Sequence, residues 1–264
     1  RSSILLMIGF EGHPDLAIGG FHSHAGWLTF TLVALGIMAL ADTMPQLKRS
    51  DRDEPAKPSE ELIPFWQDPL VARILPFAVL MLTAVVASVL SQTPGMLYPF
   101  RILCVGAILY MFWEVYRGLP WRLDPVAVGA GVIIAALWII VPTASDDTLP
   151  YGSLAGVALV VWYIFRAVGT TIIVPIVEEL IFRDFLESRL RFGSGIVWTI
   201  GAALISAGLF AALHGRWIEA FIAGLIFSAV ARRRGNITDA ILAHMIANGI
   251  IFAVAIATGN LAMV

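Results

Sequence analysis

Residues 151–190 read YGSLAGVALVVWYIFRAVGTTIIVPIVEELIFRDFLESRL, and this stretch decides the architecture of the chain. As one helix rising about 1.5 Å per residue, it would reach roughly twice the about 30 Å thickness of bilayer hydrocarbon. Gly169 and Pro175 are the residues expected to interrupt it, because proline removes a backbone donor and clashes with the preceding turn. We therefore expect a kink or a new helix start just before Glu178.

Uncharged apolar runs recur on both sides of this stretch. The 264-residue chain has 59% hydrophobic and 14% charged residues and a mean hydropathy of +0.85, far from the balance of a soluble domain. These values predict an all-α, polytopic helical membrane protein with about eight transmembrane helices. The runs that predict spans are 26–40, 74–100, 102–113, 125–145, 148–165, 192–213, 220–231 and 240–264.

The charges are sparse and confined mostly to alternate loops. With 17 basic and 19 acidic residues and a net charge of -2, the chain has no contiguous basic face, which argues against nucleic-acid binding. Basic residues concentrate at 48–57, 117–122, 189–191 and 232–234. Because basic loops stay on the cytoplasmic side, we expect these loops in the cytoplasm and both termini outside.

One long polar segment divides the chain. Residues 43–69 are rich in proline and in charges of both signs, which predicts a solvated linker between an N-terminal piece, 1–42, that carries one span and a membrane core, 70–264. The only cysteine, Cys104, lies in an apolar run, so we expect a plain buried thiol rather than a disulfide or a cysteine-based metal cluster.

An acidic pair lies within an apolar helical stretch. Carboxylates are rare in hydrocarbon and usually line a watery cavity or a reaction site. Glu179 and Arg183 are four residues apart, which permits an ion pair, whereas Glu178 is rotated by about 100° and has no obvious helical partner. An unpaired, desolvated carboxylate suits a general base. The alternative is a buried charge network that only fixes helix packing.

Two further polar clusters show the same four-residue spacing. Phe210 and His214 share one helix face, so the phenyl ring can shield the imidazole from lipid, and His244 and Asn248 share a face of the last span. A lone membrane histidine is more often a partner in a hydrogen bond between helices than a catalyst. Three helices that each offer an acid, an imidazole or an amide favour a common reaction site.

Three stretches, VPIVEELIFRDFLESRL (174–190), FAALH (210–214) and HMIAN (244–248), resemble the ordered motifs EExxxR, FxxxH and HxxxN of the CPBP intramembrane proteases. That family includes the CAAX prenyl endopeptidases and bacteriocin-processing proteins. The resemblance covers residues 150–258 and implies a CPBP-type core. One departure is Asp184, since many members have glycine after the motif arginine.

The resemblance implies a glutamate-type intramembrane endopeptidase that acts on a membrane-associated protein without a metal or other cofactor. Glu178 and His214 would activate a water, and His244 and Asn248 would donate hydrogen bonds to the developing oxyanion. The supporting residues would be Glu179, Arg183 and Phe210.

Three alternatives stay open at this stage. Glu178, His214 and His244 could be three ligands of a catalytic zinc ion, although there is no HExxH motif. A catalytically silent CPBP-type scaffold or immunity protein would have the same fold. A transporter that uses the acids as a proton relay would show repeated halves with paired broken helices.

The N-terminal stretch RSSILLMIGFEGHPDLAIGGFHSHAGWLTF (1–30) resembles the end of an exosortase, with Arg1 and His22 at that family's catalytic positions. The family's nucleophilic cysteine would precede Arg1, so this portion is not expected to perform thiol transpeptidation. The resemblance implies a fragment of an exosortase and protease fusion in a bacterial inner membrane. The alternative is a histidine-bearing interfacial turn at the end of a span.

The depth of His214 is a geometric difficulty. If its helix began at Phe192, His214 would lie near the opposite face of the membrane from Glu178. We expect a long interfacial loop over 187–195, which would delay the helix and bring His214 inward.

Overall fold

A computed structural model describes residues 63–141, 149–191, 193 and 195–263 of the chain. The predicted N-terminal span, the exosortase-like stretch and most of the polar linker lie outside these residues. The described part is helical and contains no strand, which confirms the all-α class. Its helices are α1 (Pro69–Leu90), α2 (Tyr98–Met111), the short α3 (Trp113–Arg117), α4 (Pro125–Ile140), α5 (Gly156–Leu190), α6 (Ile196–Ala211), α7 (Trp217–Arg234) and α8 (Ile237–Thr258).

Several helices have the length and composition of membrane spans. Four helical units meet both conditions: α1, α5, α8, and α2 together with the turn that precedes it. The apolar helices α4 and α6 have 16 residues each, which gives about 24 Å of rise. Large apolar side chains such as Val89 and Val157 are about four-fifths exposed, as expected of a surface that faces lipid. The chain is therefore a multi-pass membrane protein.

The long helix α5 is not broken. Its 35 residues run through two π-helical segments, Gly169–Ile173 and Leu180–Leu186, with an α-helical segment between them. The first π segment precedes Pro175, so the wider hydrogen-bond register accommodates the missing proline N–H. The expectation of a new helix start was therefore wrong. Glu178 and Glu179 lie in the middle of a continuous helix, between the two π segments.

Helix α8 lies at the centre of the described bundle and packs against α4, α5 and α7. Its approach to α4 depends on small residues, because a Cβ atom at Gly131 would lie 2.5 Å from the carbonyl oxygen of Ala243. Close helix contacts through glycine and alanine are typical of membrane proteins. This packing brings His244 and Asn248 of α8 against the middle of α5.

Charged side chains pair where helices end on the predicted cytoplasmic side. Asp124 accepts a hydrogen bond from the Ala127 amide at 3.0 Å, which caps α4, and its other oxygen lies 2.5 Å from Arg233 and 2.6 Å from Arg234. Asp184 pairs with Arg73 of α1 at 2.5 Å. The acid after the motif arginine thus connects α5 to α1.

Candidate active site

A cavity of about 370 Å³ lies among α2, α4, α5, α6, α7 and α8. The side chains that the sequence placed on three separate helices all line it: Glu178, Phe210, His214, His244 and Asn248. Glu179 and Arg183 lie behind its wall, each almost fully buried. The tertiary structure therefore brings the three sequence motifs together.

The two glutamates have different surroundings. Glu179 has no exposed surface, and its Oε1 atom lies 3.3 Å from Arg183 Nη1 and 2.9 Å from His244 Nδ1. Glu178 faces the cavity, where its Oε2 atom is buried, forms no hydrogen bond with a described residue and lies 3.8 Å from His244 Nε2. Each glutamate keeps an Oε2 atom without a hydrogen bond to a described residue. Glu179 is held through Oε1 by Arg183 and His244, whereas Glu178 lines the cavity and can accept a proton there.

Aromatic rings surround the guanidinium of Arg183. Its Cζ atom lies 4.3 Å from the ring centroid of Phe210, 5.3 Å from that of Phe227 and 5.7 Å from that of Phe182. Cation–π contacts of this kind stabilise a desolvated guanidinium. Phe227 was not singled out in the sequence, because it belongs to no recognisable motif.

His214 follows α6 and is oriented by its own helix end. The Phe210 carbonyl accepts a hydrogen bond from His214 Nδ1 at 2.8 Å, and the two ring centroids are 4.4 Å apart. In a neutral imidazole with Nδ1 protonated, Nε2 is a proton acceptor. Helix α6 begins at Ile196, later than Phe192, and His214 lines the cavity. The loop expected over 187–195 was too long, because α5 continues as a helix to Leu190.

The imidazole ring of His244 is held by a stacking contact on its face and by a hydrogen bond at its edge. Its ring stacks on Phe227 with centroids 4.5 Å apart at 21°, and its Nδ1 donates to Glu179. Consequently Nε2 is the nitrogen nearer Glu178. Donation from Nε2 to an oxyanion requires a ring that carries protons on both nitrogens.

Asn248 contacts the first π segment of α5. Its amide Nδ2 donates to the Thr170 carbonyl at 2.9 Å, and both residues line the cavity. An amide nitrogen carries two protons, so one remains for another acceptor. The arrangement holds the Asn248 amide in a single orientation at the cavity wall.

A zinc site at Glu178, His214 and His244 would require the three side chains to converge on one point. Among the described residues, no group of three or more His, Cys, Asp and Glu side chains is placed to hold a metal ion. Glu178 approaches His244, but His214 does not complete a three-ligand set with them. The residues in this arrangement do not fit a zinc ion.

Two arginines in the cavity wall were missed by the sequence reasoning. Arg101 of α2 and Arg166 of α5 both line the cavity that holds Glu178. The sequence does contain a signal, because Arg101 alone separates the apolar runs 74–100 and 102–113, and Arg166 ends the run 148–165. A charge at the edge of an apolar run usually marks the membrane interface, so this pattern alone does not indicate a cavity.

Comparison with known proteins gives a match to a protein family. Residues 160–250 match the family model described as type II CAAX prenyl endopeptidase Rce1-like. No curated protein and no solved structure is significantly similar to the chain. The matched region contains all three motifs and excludes α1, α2, α4 and the end of α8. About a third of the chain, the part with the acidic pair and both cavity histidines, is thus similar to a family of membrane endopeptidases.

Proposed function

We propose that the chain is a glutamate-type intramembrane endopeptidase that hydrolyses a peptide bond of a membrane-associated protein. The observation that carries the proposal is the convergence of Glu178, His214, His244 and Asn248 on one cavity within a helical membrane bundle. The similarity of residues 160–250 to a prenyl endopeptidase family supports it independently.

The proposed reaction begins with a water held between Glu178 and His214. Glu178 takes a proton from this water while the water oxygen adds to the peptide carbonyl carbon. His214 accepts a hydrogen bond from the same water through Nε2, which fixes its direction of attack. The C–N bond breaks when the proton on Glu178 passes to the leaving nitrogen.

The charge that develops on the carbonyl oxygen needs donors that are already in place. His244 Nε2 and the remaining Asn248 amide proton supply them in this proposal, and preorganised donors of this kind usually contribute most to lowering such barriers. Glu179 and Arg183 are positioning residues, because they hold the His244 ring and do not line the cavity.

The test uses the purified full chain in nanodiscs and a library of quenched fluorescent peptides that carry an acyl anchor. We expect wild-type protein to cleave part of the library and Glu178→Gln and His214→Ala to lose the activity by at least about a hundredfold. Glu114→Gln, at a half-exposed ion pair with Arg117, is the matched control that keeps it. Equal cleavage by wild type and Glu178→Gln would overturn the proposal, and so would the absence of cleavage throughout the library.

The same assay separates the alternatives. Full activity after exhaustive chelation is the expected result, and loss of activity that zinc restores would favour the metal-dependent variant. A silent scaffold would cleave nothing. We also propose that the protein lies in a bacterial inner membrane and that its N-terminal stretch is an exosortase remnant. Both proposals depend on the resemblance of residues 1–30 to an exosortase.

A further inference from the structure

The two cavity arginines have no role in the peptide hydrolysis described above. Arg101 is partly buried, its Nε atom is enclosed, and it forms no hydrogen bond or ion pair with any described residue. Arg101 also lies within electrostatic range of both Arg166 and Glu178. Because Arg101 lines the cavity and is paired with no described residue, its guanidinium donors are available to an anionic group that enters the cavity.

Arg166 is held next to Arg101 by an aromatic ring. Its Cζ atom lies 4.4 Å from the ring centroid of Tyr98, one turn before Arg101 on α2. The Tyr98 hydroxyl lies 3.3 Å from Thr170 Oγ1, and a Cβ atom at Gly169 would lie 2.6 Å from that hydroxyl. Gly169 therefore lets α2 and α5 approach closely enough to place both guanidinium groups in one part of the cavity.

The charges that line the cavity do not balance. Arg101 and Arg166 are the lining cations among the described residues, and Glu178 is the lining carboxylate. The buried pair of Glu179 and Arg183 behind the wall compensates itself. In the described lining, two arginines thus face one carboxylate, and the imbalance grows when Glu178 takes a proton or when the His244 ring carries protons on both nitrogens.

We propose that Arg101, with Arg166 beside it, binds a carboxylate of the substrate chain within the catalytic cavity. A guanidinium presents paired N–H donors that match the two oxygens of a carboxylate, and such charge-assisted pairs are stronger where water is excluded. This inference rests on the proposed endopeptidase function and names a specificity determinant for it. Arg101 lies outside the residues that match the endopeptidase family.

Arg101 and Arg166 are placed to bind substrate rather than to react with it. Arg166 precedes Glu178 by 12 residues on α5, which corresponds to about 18 Å of helix axis between the two backbone positions. Neither arginine has a step in the proposed hydrolysis. Loss of Arg101 should weaken substrate binding and change the rate of the bound complex little.

A carboxylate of a peptide substrate can come from its C-terminus or from an acidic side chain. The test uses three N-palmitoylated, fluorescent pentapeptides of Ala, Leu and Val: one with a free C-terminal carboxylate, one with a C-terminal amide, and one with the amide and an internal Glu. Binding is measured to the full chain carrying Glu178→Gln in nanodiscs. This variant does not turn over peptide under the proposed function, so the result does not depend on cleavage.

We expect at least one of the two acidic peptides to bind roughly tenfold or more tightly than the neutral amide, and the better of the two identifies the source. Adding Arg101→Gln should reduce this preference to less than about threefold, Arg101→Lys should retain part of it, and Arg117→Gln should leave it unchanged. Equal binding of all three peptides, no binding of any, or a preference that survives Arg101→Gln would each overturn the inference. The comparison of peptides on a chain with Arg101 intact remains decisive if Arg101→Gln fails to fold.

Discussion

His244 Nδ1 lies 2.9 Å from Oε1 of Glu179, across 65 residues of sequence. This contact joins α8 to the middle of α5 and occupies one ring nitrogen of His244. The other nitrogen is left on the side of Glu178. One buried carboxylate thus fixes the orientation of a histidine that we place at the oxyanion.

Replacement of Glu179 by Gln should lower kcat by roughly tenfold or more and leave KM nearly unchanged, because the variant weakens the charge-assisted hydrogen bond to His244 without altering the cavity lining. It should also destabilise the fold, because Arg183 loses its buried anionic partner. Steady-state kinetics on a cleaved library peptide measures both constants. Glu114→Gln is the control for loss of a paired surface acid. An unchanged kcat in Glu179→Gln would show that the contact does not position His244.

Replacement of Arg183 by Met should destabilise the fold by about 3–5 kcal/mol, because it removes one partner of a buried ion pair and leaves a carboxylate without its cation. Both side chains of this pair are at most 1% exposed. Unfolding in a detergent mixture measures the change in the free energy of unfolding.

The matched control for Arg183→Met is Arg117→Met, whose pair with Glu114 is at least half exposed. An exposed pair contributes about 0–1 kcal/mol, so this variant should unfold almost as wild type does. Similar effects of the two variants would contradict the structural role given to Arg183.

Replacement of Gly224 by Ala should destabilise the protein by about 1–3 kcal/mol through overpacking. A Cβ atom there would lie 3.0 Å from Ala207 Cβ and 3.0 Å from Arg183 Nη2, between α6 and α7. Gly249→Ala is the control, since a Cβ atom at that position meets nothing within 4 Å. Thermal unfolding of both variants in nanodiscs measures the two losses of stability. A loss in Gly224→Ala no larger than that in Gly249→Ala would show that the interface between α6 and α7 can accommodate an added methyl group.

Asp124 makes the stability of the protein depend on pH in the acidic range. The amide N–H of Ala127 and the neighbouring Arg233 lower the pKa of Asp124. The stabilisation by its carboxylate is therefore fully present above the ordinary aspartate pKa of about 4 and is lost as the pH falls through the lowered value. Asp124→Asn should lower the unfolding temperature at neutral pH, with a deficit that shrinks below about pH 4. A deficit that is constant over this range would assign the effect to packing instead.

Local spacing was enough to predict which glutamate of the acidic pair meets Arg183. Glu179 and Arg183 lie one helical turn apart on the same face, and in the structure they form the expected ion pair. The membrane class likewise followed from composition, since long uncharged runs have few other uses. The helix break predicted in α5 is not present, because the π segment before Pro175 accommodates the proline without ending the helix.

Sequence by itself determined which side chains must avoid lipid and which pairs share a helix face, because both depend on residue type and on spacing within one helix. Tertiary structure alone decided that Glu178, His214 and Asn248 border one cavity, that Phe227 stacks on His244, and that Arg101 and Arg166 enter the same space. These relations join helices distant in the chain, and their geometry depends on how closely small residues such as Gly131, Gly169 and Gly224 let those helices approach.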